Sequence, residues 1–170
     1  MSIVKQIRPK LNNALKDILD TIGYTDTKVI YSDQNGLEPD NTYGVVNILN
    51  ISQVGFRDES TLIYAQPDNL EFVTHHTIST QISFVGTEAG SVAYDFRQNM
   101  VNNRRCFEIL MRSNFGIASR GDVRRIPQKR ESAWVEAYNM DIDFTFSVFS
   151  RESYDWVEDA VVNEELIIGD

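Results

Sequence analysis

The sequence is poor in the residues from which catalytic and metal sites are usually built. Its 170 residues include two histidines, His75 and His76, and one cysteine, Cys106. A single cysteine excludes an internal disulfide and leaves no thiolate cluster for zinc. We therefore expect the chain to hold no metal and no cofactor.

Long apolar runs are also missing. No stretch of 18 apolar residues occurs, and the first ten residues lack the hydrophobic core of a signal peptide. We expect no membrane span and no membrane partner, and we expect the chain to be made and folded in the cytoplasm.

What is present is the composition of an ordinary globular domain, with 42% hydrophobic and 11% aromatic residues. A chain of this length buries a sizeable core without disulfides or metals. No internal repeat or flexible linker divides it. We expect one domain over residues 1–151, followed by an acidic segment over residues 152–170 that is a candidate partner-binding arm.

Charge is unevenly distributed along the chain. The net charge is −9, yet eight of the sixteen basic residues fall between Arg104 and Arg130, whereas residues 152–170 contain seven acids and no base. A nucleic-acid-binding domain is usually basic overall, so this pattern does not favour one. It favours contact between the acidic surface of one copy and the basic surface of another.

Apolar periodicity predicts a helix near the N-terminus and strands after it. Every third or fourth residue from Ile3 to Ile22 is apolar, and Gly23 ends the pattern. Pro9 leaves open whether the regular helix begins at Ile3 or at Pro9 itself. Strand-like runs follow at residues 28–32, 43–54, 61–65 and 71–85, with a turn-rich loop at 33–41.

A second helix and the clearest strand lie in the other half of the chain. We expect Thr87 to cap the second helix. The apolar face of this helix is formed by Val92, Ala93, Phe96 and Met100. A kink or break is expected at Asn102-Asn103, after which the apolar face continues in Phe107, Leu110 and Met111. Residues 120–130 are expected to form a loop or irregular hairpin. Residues 134–148 alternate strictly, which predicts a central strand with the side chains of Trp134, Tyr138, Met140, Ile142 and Phe144 in the core. These elements predict a single-domain α+β fold: a mostly antiparallel mixed sheet with two main helices packed on one face.

Few residues suggest catalysis. Asp141 and Asp143 share one strand face at a Cα separation of about 7 Å, and paired carboxylates can hold a divalent cation, but a solvated sheet face explains them better. His75 and His76 are adjacent on a strand and therefore point to opposite faces. Cys106 lies in a predicted helix without a histidine partner in view.

The basic stretch is the one constellation that stands out, and three interpretations of it stay open: a solvated surface, a protein contact and a contact with DNA phosphates. For the protein contact, the C-terminal segment supplies acids together with apolar side chains. The candidate interface residues are Arg120, Arg124, Arg125, Lys129 and Arg130 on the basic side, and Trp156, Glu158, Asp159, Glu164 and Glu165 on the acidic side.

The order of motifs resembles the neck-terminator branch of the phage tail-terminator proteins. A leading amphipathic helix is followed by Pro39-x-x-x-Tyr43-Gly44-Val45-Val46, and a long strand ends at Gly86 and leads directly into a helix. An Arg-rich loop, Arg130-x-x-x-Trp134-x-Glu136 and an alternating strand over residues 140–144 complete the pattern, which covers roughly residues 1–150.

This resemblance implies a structural, non-enzymatic virion protein whose copies close into a six-membered ring. Such a ring caps the tail tube, joins the tail to the neck and head connector, and lets the genome DNA pass without tight binding. The implied partners are other copies of the chain, the tail tube and sheath proteins, and the neck and head-completion proteins. The implied location is the tail and neck of the virion, assembled in host cytoplasm.

Two other functions remain open. One is a hydrolase or nuclease that uses Asp141 and Asp143 with a divalent metal. The other is a head-completion or tail-tube protein of the same virion.

Overall fold

The computed structural model describes residues 3–34, 36–55, 61–66, 69–130 and 133–153. The elements in chain order are α1 (Ile3–Thr21), β1 (Lys28–Tyr31), β2 (Tyr43–Gln53), β3 (Thr61–Gln66), β4 (Asn69–Val85), α2 (Ala89–Asn102), α3 (Arg104–Arg112), β5 (Phe115–Arg120), β6 (Arg124–Arg125), β7 (Gln128–Arg130), β8 (Ala133–Val135) and β9 (Ala137–Ser153). No helix in these ranges is long and apolar enough to cross a bilayer.

The main sheet has the strand order β1-β2-β4-β9-β5. β1 and β2 are parallel, and the remaining pairs in this sheet are antiparallel. Short β6 pairs with β9, while β7 and β8 form a separate hairpin. The predicted α+β fold with a mostly antiparallel mixed sheet is confirmed.

The centre of the sheet is the ladder between β4 and β9. It is continuous in register from Asn69 opposite Ser153 to Val85 opposite Ala137. Both strands alternate apolar and polar residues, so a single register places most of the apolar side chains on the same face.

That apolar face packs against the three helices and forms the core. The fully buried side chains on β4 and β9 include those of Ile78, Phe84, Met140 and Phe144. The opposite face is rich in Ser, Thr, Asn, Gln and Asp, and a small cluster of Tyr43, Val85 and Ala137 is buried at its end. The alternation predicted for both long strands is therefore confirmed in their central parts.

The helix α1 begins at Ile3, so Pro9 lies inside it and not at its start. Proline removes one backbone N–H donor from a helix. The buried stripe of Ile7, Leu11, Leu15, Ile18 and Leu19 holds α1 on the sheet across this interruption.

The start of α2 differs from the predicted Thr87 cap. The residue before the helix is Glu88, whose side chain makes no capping hydrogen bond. The backbone N–H of Glu88 instead donates to the hydroxyl of Thr42, at 3.2 Å. A side chain distant in sequence therefore satisfies this N–H, and Gly86 (φ 126°) makes the turn.

The predicted apolar face beyond Asn102-Asn103 was partly wrong. The helix breaks at Asn103, which ends α2 and caps α3 by accepting a hydrogen bond from the N–H of Arg105, at 3.0 Å. The break turns the second helix, so that Cys106 and Leu110 are buried whereas Phe107 and Met111 are about half exposed.

Two further details of the strands differ from the predictions. Trp134 is 69% exposed because the long strand is interrupted at Glu136, which leaves Trp134 on the β7–β8 hairpin. The strand β5 was not predicted. The structure also shows that β2 and β3 both pair with β4 and follow one another along its edge.

Candidate assembly surface

Arg120, the first residue of the basic loop, is tied to the body of the protein. It ends β5, and its guanidinium donates to the backbone oxygen of Arg97 at 2.8 Å. Arg97 on α2 donates in turn to the backbone oxygen of Gly121 and to the carboxylate of Asp122, both at 2.8 Å. Arg120 and Arg97 therefore fix the start of the loop against α2.

Arg124 and Arg125 lie on β6 and form ion pairs with two acids, one on β9 and one directly before it. Arg124 pairs with Asp141, and Arg125 pairs with Glu136 at 3.1 Å. Both acids follow the basic segment in sequence and reach the arginines through strand pairing. Exposed pairs of this kind contribute about 0–1 kcal/mol each, so a partner can exchange them, but the loop offers less free positive charge than its sequence indicates.

Lys129 differs from these arginines. It is exposed on β7 and forms no ion pair with a residue that the structure describes. The backbone of Arg130 continues β7. The acidic side of the predicted interface, Trp156, Glu158, Asp159, Glu164 and Glu165, lies outside the described residues, so the structure does not bring the two sides together.

Asp141 and Asp143 lie on the polar face of the sheet and already have partners. Asp141 accepts a hydrogen bond from the amide of Gln81 at 3.2 Å, besides its ion pair with Arg124. Asp143 accepts one from the hydroxyl of Ser119 at 2.7 Å, and hydrogen bonds from Ser119 and Ser79 hold the pKa of its carboxyl below the ordinary 3.8. Among the described residues, no group of three or more His, Cys, Asp or Glu side chains could hold a metal ion.

The histidines and the cysteine form no catalytic arrangement within the described part of the chain. His75 is exposed, and its Nδ1 lies 2.9 Å from the hydroxyl of Ser147. His76 lies on the other face of β4, where burial, together with the charge of His75, lowers its pKa. Cys106 is fully buried, and burial raises the pKa of its thiol. A thiol of this kind is a poor nucleophile.

A cleft of about 610 Å³ lies where β4 meets α2. It is acidic, because Asp26, Asp40, Glu88 and Glu136 contribute to its walls, and Trp134 covers one side. No histidine, cysteine or lysine is among its lining residues, so the cleft offers neither a paired nucleophile and base nor a cation for phosphate.

A family model described as phage neck terminator protein matches residues 10–170. The chain belongs to this family. The match extends through the acidic segment, which the sequence analysis had left outside the resemblance. No curated protein sequence matches the chain significantly.

Membership in the neck terminator family agrees with the described surfaces. The chain is a structural protein of the phage virion, with a place in its neck or tail. In such a protein, surfaces that meet other virion proteins are functional parts.

One surface of this neck terminator was missed in the sequence analysis. The outer edge of β2, beside the basic N-terminal half of α1, forms a groove of about 340 Å³ lined by Val4, Arg8, Ile48, Leu49, Asn50 and Ile51. The residues are far apart in sequence, and the local pattern placed Leu49 in an ordinary strand. The sequence pattern does not predict the groove, because the groove forms only where α1 packs beside β2 past the end of β1.

Proposed function

We propose that this neck terminator forms a ring of six copies at the head-proximal end of the tail. The ring closes the tail tube and joins it to the neck and head connector. The observation that carries the proposal is the family match over nearly the whole chain. The described residues support it further, because they form one domain with a contiguous helix-covered core and no evident catalytic arrangement.

A ring requires two unlike surfaces on each copy, because its subunits meet head to tail. The chain carries such surfaces. Its basic residues are concentrated in the segment from Arg104 to Arg130, and its C-terminal segment is acidic. Contact between the Arg120–Arg130 loop and Glu158, Asp159, Glu164 and Glu165 of the next copy is the candidate that the sequence provides.

The proposed ring places the chain between several partners. The tail tube, and a sheath where the tail has one, lie on one side, and head-completion proteins of the neck lie on the other. The genome passes through the opening. A net charge of −9 supports passage without tight binding, since an acidic protein repels DNA phosphates at long range.

The hydrolase alternative has little support from the geometry. A metal at Asp141 and Asp143 would have to displace Arg124 and the hydrogen bonds from Gln81, Ser79 and Ser119. A test is the incubation of the chain with duplex DNA and Mg²⁺. Cleavage that is lost in Asp143→Ala would establish the enzyme and contradict a purely structural role.

Native mass spectrometry of the full chain at low micromolar concentration tests the ring. We expect a particle of six times the 19.5 kDa chain mass. A closed particle of another copy number would overturn the hexamer and keep the ring. A chain that stays monomeric at every concentration, alone and with tail tubes, would overturn the ring itself.

A further inference from the structure

Within the described ranges, the outer edge of β2 is unpaired over part of its length. β1 pairs only with Tyr43 to Val46, the first four residues of β2. From Ile48 to Gln53 no described strand lies on that side, although β4 pairs with the inner side. An open edge offers unpaired N–H and C=O groups to an extended segment from another chain.

Beside this edge lies the apolar groove of about 340 Å³, between β2 and the first turns of α1. Leu49 is 58% exposed and Val4 is 40% exposed, so two aliphatic side chains that line the groove are open to contact. Leu49 occupies the bulge where the register of β2 against β4 shifts. An added strand can therefore place alternate apolar side chains in the groove while its backbone pairs with β2.

The N-terminal half of α1, which borders the groove, is basic. Its basic residues are Lys5, Arg8 and Lys10, and no acid precedes Asp17. Arg8 lines the groove, whereas the ammonium of Lys10 lies over the ring of Phe146. Arg8 pairs with Asp33 at 2.5 Å, yet its Nε atom is buried and has no hydrogen-bond partner among the described residues. The groove therefore suits a segment that is both apolar and acidic.

The C-terminal segment of the chain has this composition. Residues 154–170 contain six acids and no base, together with the apolar residues Trp156, Val157, Val161, Val162, Leu166, Ile167 and Ile168. Isolated acidic tails that only stay solvated are poor in such residues. Here the apolar residues require a surface to cover them and the acids require cations.

The segment leaves the fold at some distance from the groove of its own copy. It follows Ser153, which pairs with Asn69 at the far end of the β4–β9 ladder. Ile51 in the groove lies opposite Ile78, which lies opposite Phe144, so Ser153 is nine positions, or roughly 30 Å, farther along the ladder. Seventeen more residues extend at most about 60 Å from there. This length reaches the groove of the same copy as well as that of a neighbour, and the proposed ring favours the neighbour.

We propose that residues 154–170 of one copy add as a strand to the open edge of β2 in the next copy. Their apolar side chains fill the groove between α1 and β2, and their acids lie beside Lys5 and Arg8. The inference rests on the proposed ring and names the contact that links its subunits. The groove is a better receptor than the Arg120–Arg130 loop, because exposed Val4 and Leu49 offer a surface to the apolar side chains of the segment.

Disulfide capture between two full-length variants tests this contact. One protein carries Leu49→Cys, and the other carries Val162→Cys or Leu166→Cys; native Cys106 is fully buried and stays in place. After mixing and mild oxidation we expect a disulfide-linked pair of unlike chains. The matched control is Leu37→Cys, since Leu37 is completely exposed and does not line the groove. It should give little of the product.

The other results of this experiment overturn the proposal. Equal capture by Leu37→Cys and Leu49→Cys shows that the segment does not select the groove. Capture by Ala118→Cys on the edge of β5, in place of Leu49→Cys, places the segment beside the basic loop. A disulfide that forms only when both cysteines are on one chain shows docking within a copy.

The mass of the particle separates this inference from the proposed ring. In the full chain, Leu49→Asp should weaken assembly by about tenfold, as loss of one central apolar contact does, whereas Leu37→Asp should leave it unchanged. Intact hexamers in Leu49→Asp without weakened assembly overturn the groove contact and keep the ring. If the disulfide forms selectively at Leu49→Cys but the chain forms no ring, the proposed ring is wrong and the groove contact stands.

Discussion

Individual aromatic side chains join the helices to the sheet. Phe144 is fully buried at the centre of β9, and its ring centroid lies 6.0 Å from that of Phe115 in an edge-to-face arrangement. Phe115 also packs on Phe146, at 4.9 Å. Pairs of this geometry contribute about 0.5–1.5 kcal/mol beyond the area they bury.

We expect Phe144→Ala to lower the free energy of unfolding by about 3–5 kcal/mol, because it leaves a cavity that the rigid ladder cannot close. Phe149→Ala on the same strand is the control, since Phe149 is 62% exposed and should change little. Urea titration measures both. A loss below about 1 kcal/mol in Phe144→Ala would contradict its burial in the core.

Asp143 should respond to acid in a defined direction. Hydrogen bonds from Ser119 and Ser79 hold its pKa below 3.8 in the folded state, so folding favours the charged form. Its contribution to stability is complete above pH of about 3.8 and is lost as the pH falls through the lower folded value. The difference in unfolding free energy between the native chain and Asp143→Asn should therefore shrink on acidification. If this difference in unfolding free energy grew at low pH, the folded state would raise the pKa of Asp143 and not lower it.

At the scale of elements, the break between α2 and α3 decides which side chains of α3 are exposed. Asn103 donates its N–H to the carbonyl of Asn99 at 2.9 Å, and its side chain accepts from the N–H of Arg105. The interruption turns α3 so that Phe107 and Met111 face outward. A continuous helix in the predicted register would have buried them.

Removal of this cap should destabilise the chain moderately. We expect Asn103→Ala to cost about 1 kcal/mol of unfolding free energy, because the N–H of Arg105 loses its acceptor. Asn102→Ala is a close control, since Asn102 is the exposed last residue of α2. Thermal or urea unfolding compares the two, and equal effects would show that the side chain of Asn103 does not act as a cap.

At the scale of the whole molecule, the acidic chain should bind duplex DNA weakly. Three of the loop arginines already have partners, and the net charge is −9. We expect no dissociation constant tighter than micromolar at physiological salt, and steep weakening as salt rises. Fluorescence anisotropy with a labelled duplex measures it. A nanomolar dissociation constant would show that the chain binds duplex DNA as a ligand and does not merely let it pass.

The sequence by itself determined the class of fold and the family. The periodicity of apolar residues within one segment predicts which side of that segment is buried. This applies to the alternation in β4 and β9 and to the apolar stripe of α1. The order of motifs then sufficed for the resemblance to neck terminators. The basic loop was also visible as a cluster of arginines, since a cluster in sequence needs no knowledge of contacts.

Only the tertiary structure decided what those residues meet. Arg124 and Arg125 find their acids through the register of β6 on β9, and Trp134 is exposed because the strand is interrupted at Glu136. The groove beside Leu49 exists because β1 ends before β2 does and α1 crosses nearby. Such features depend on the pairing of distant segments, which local periodicity does not specify.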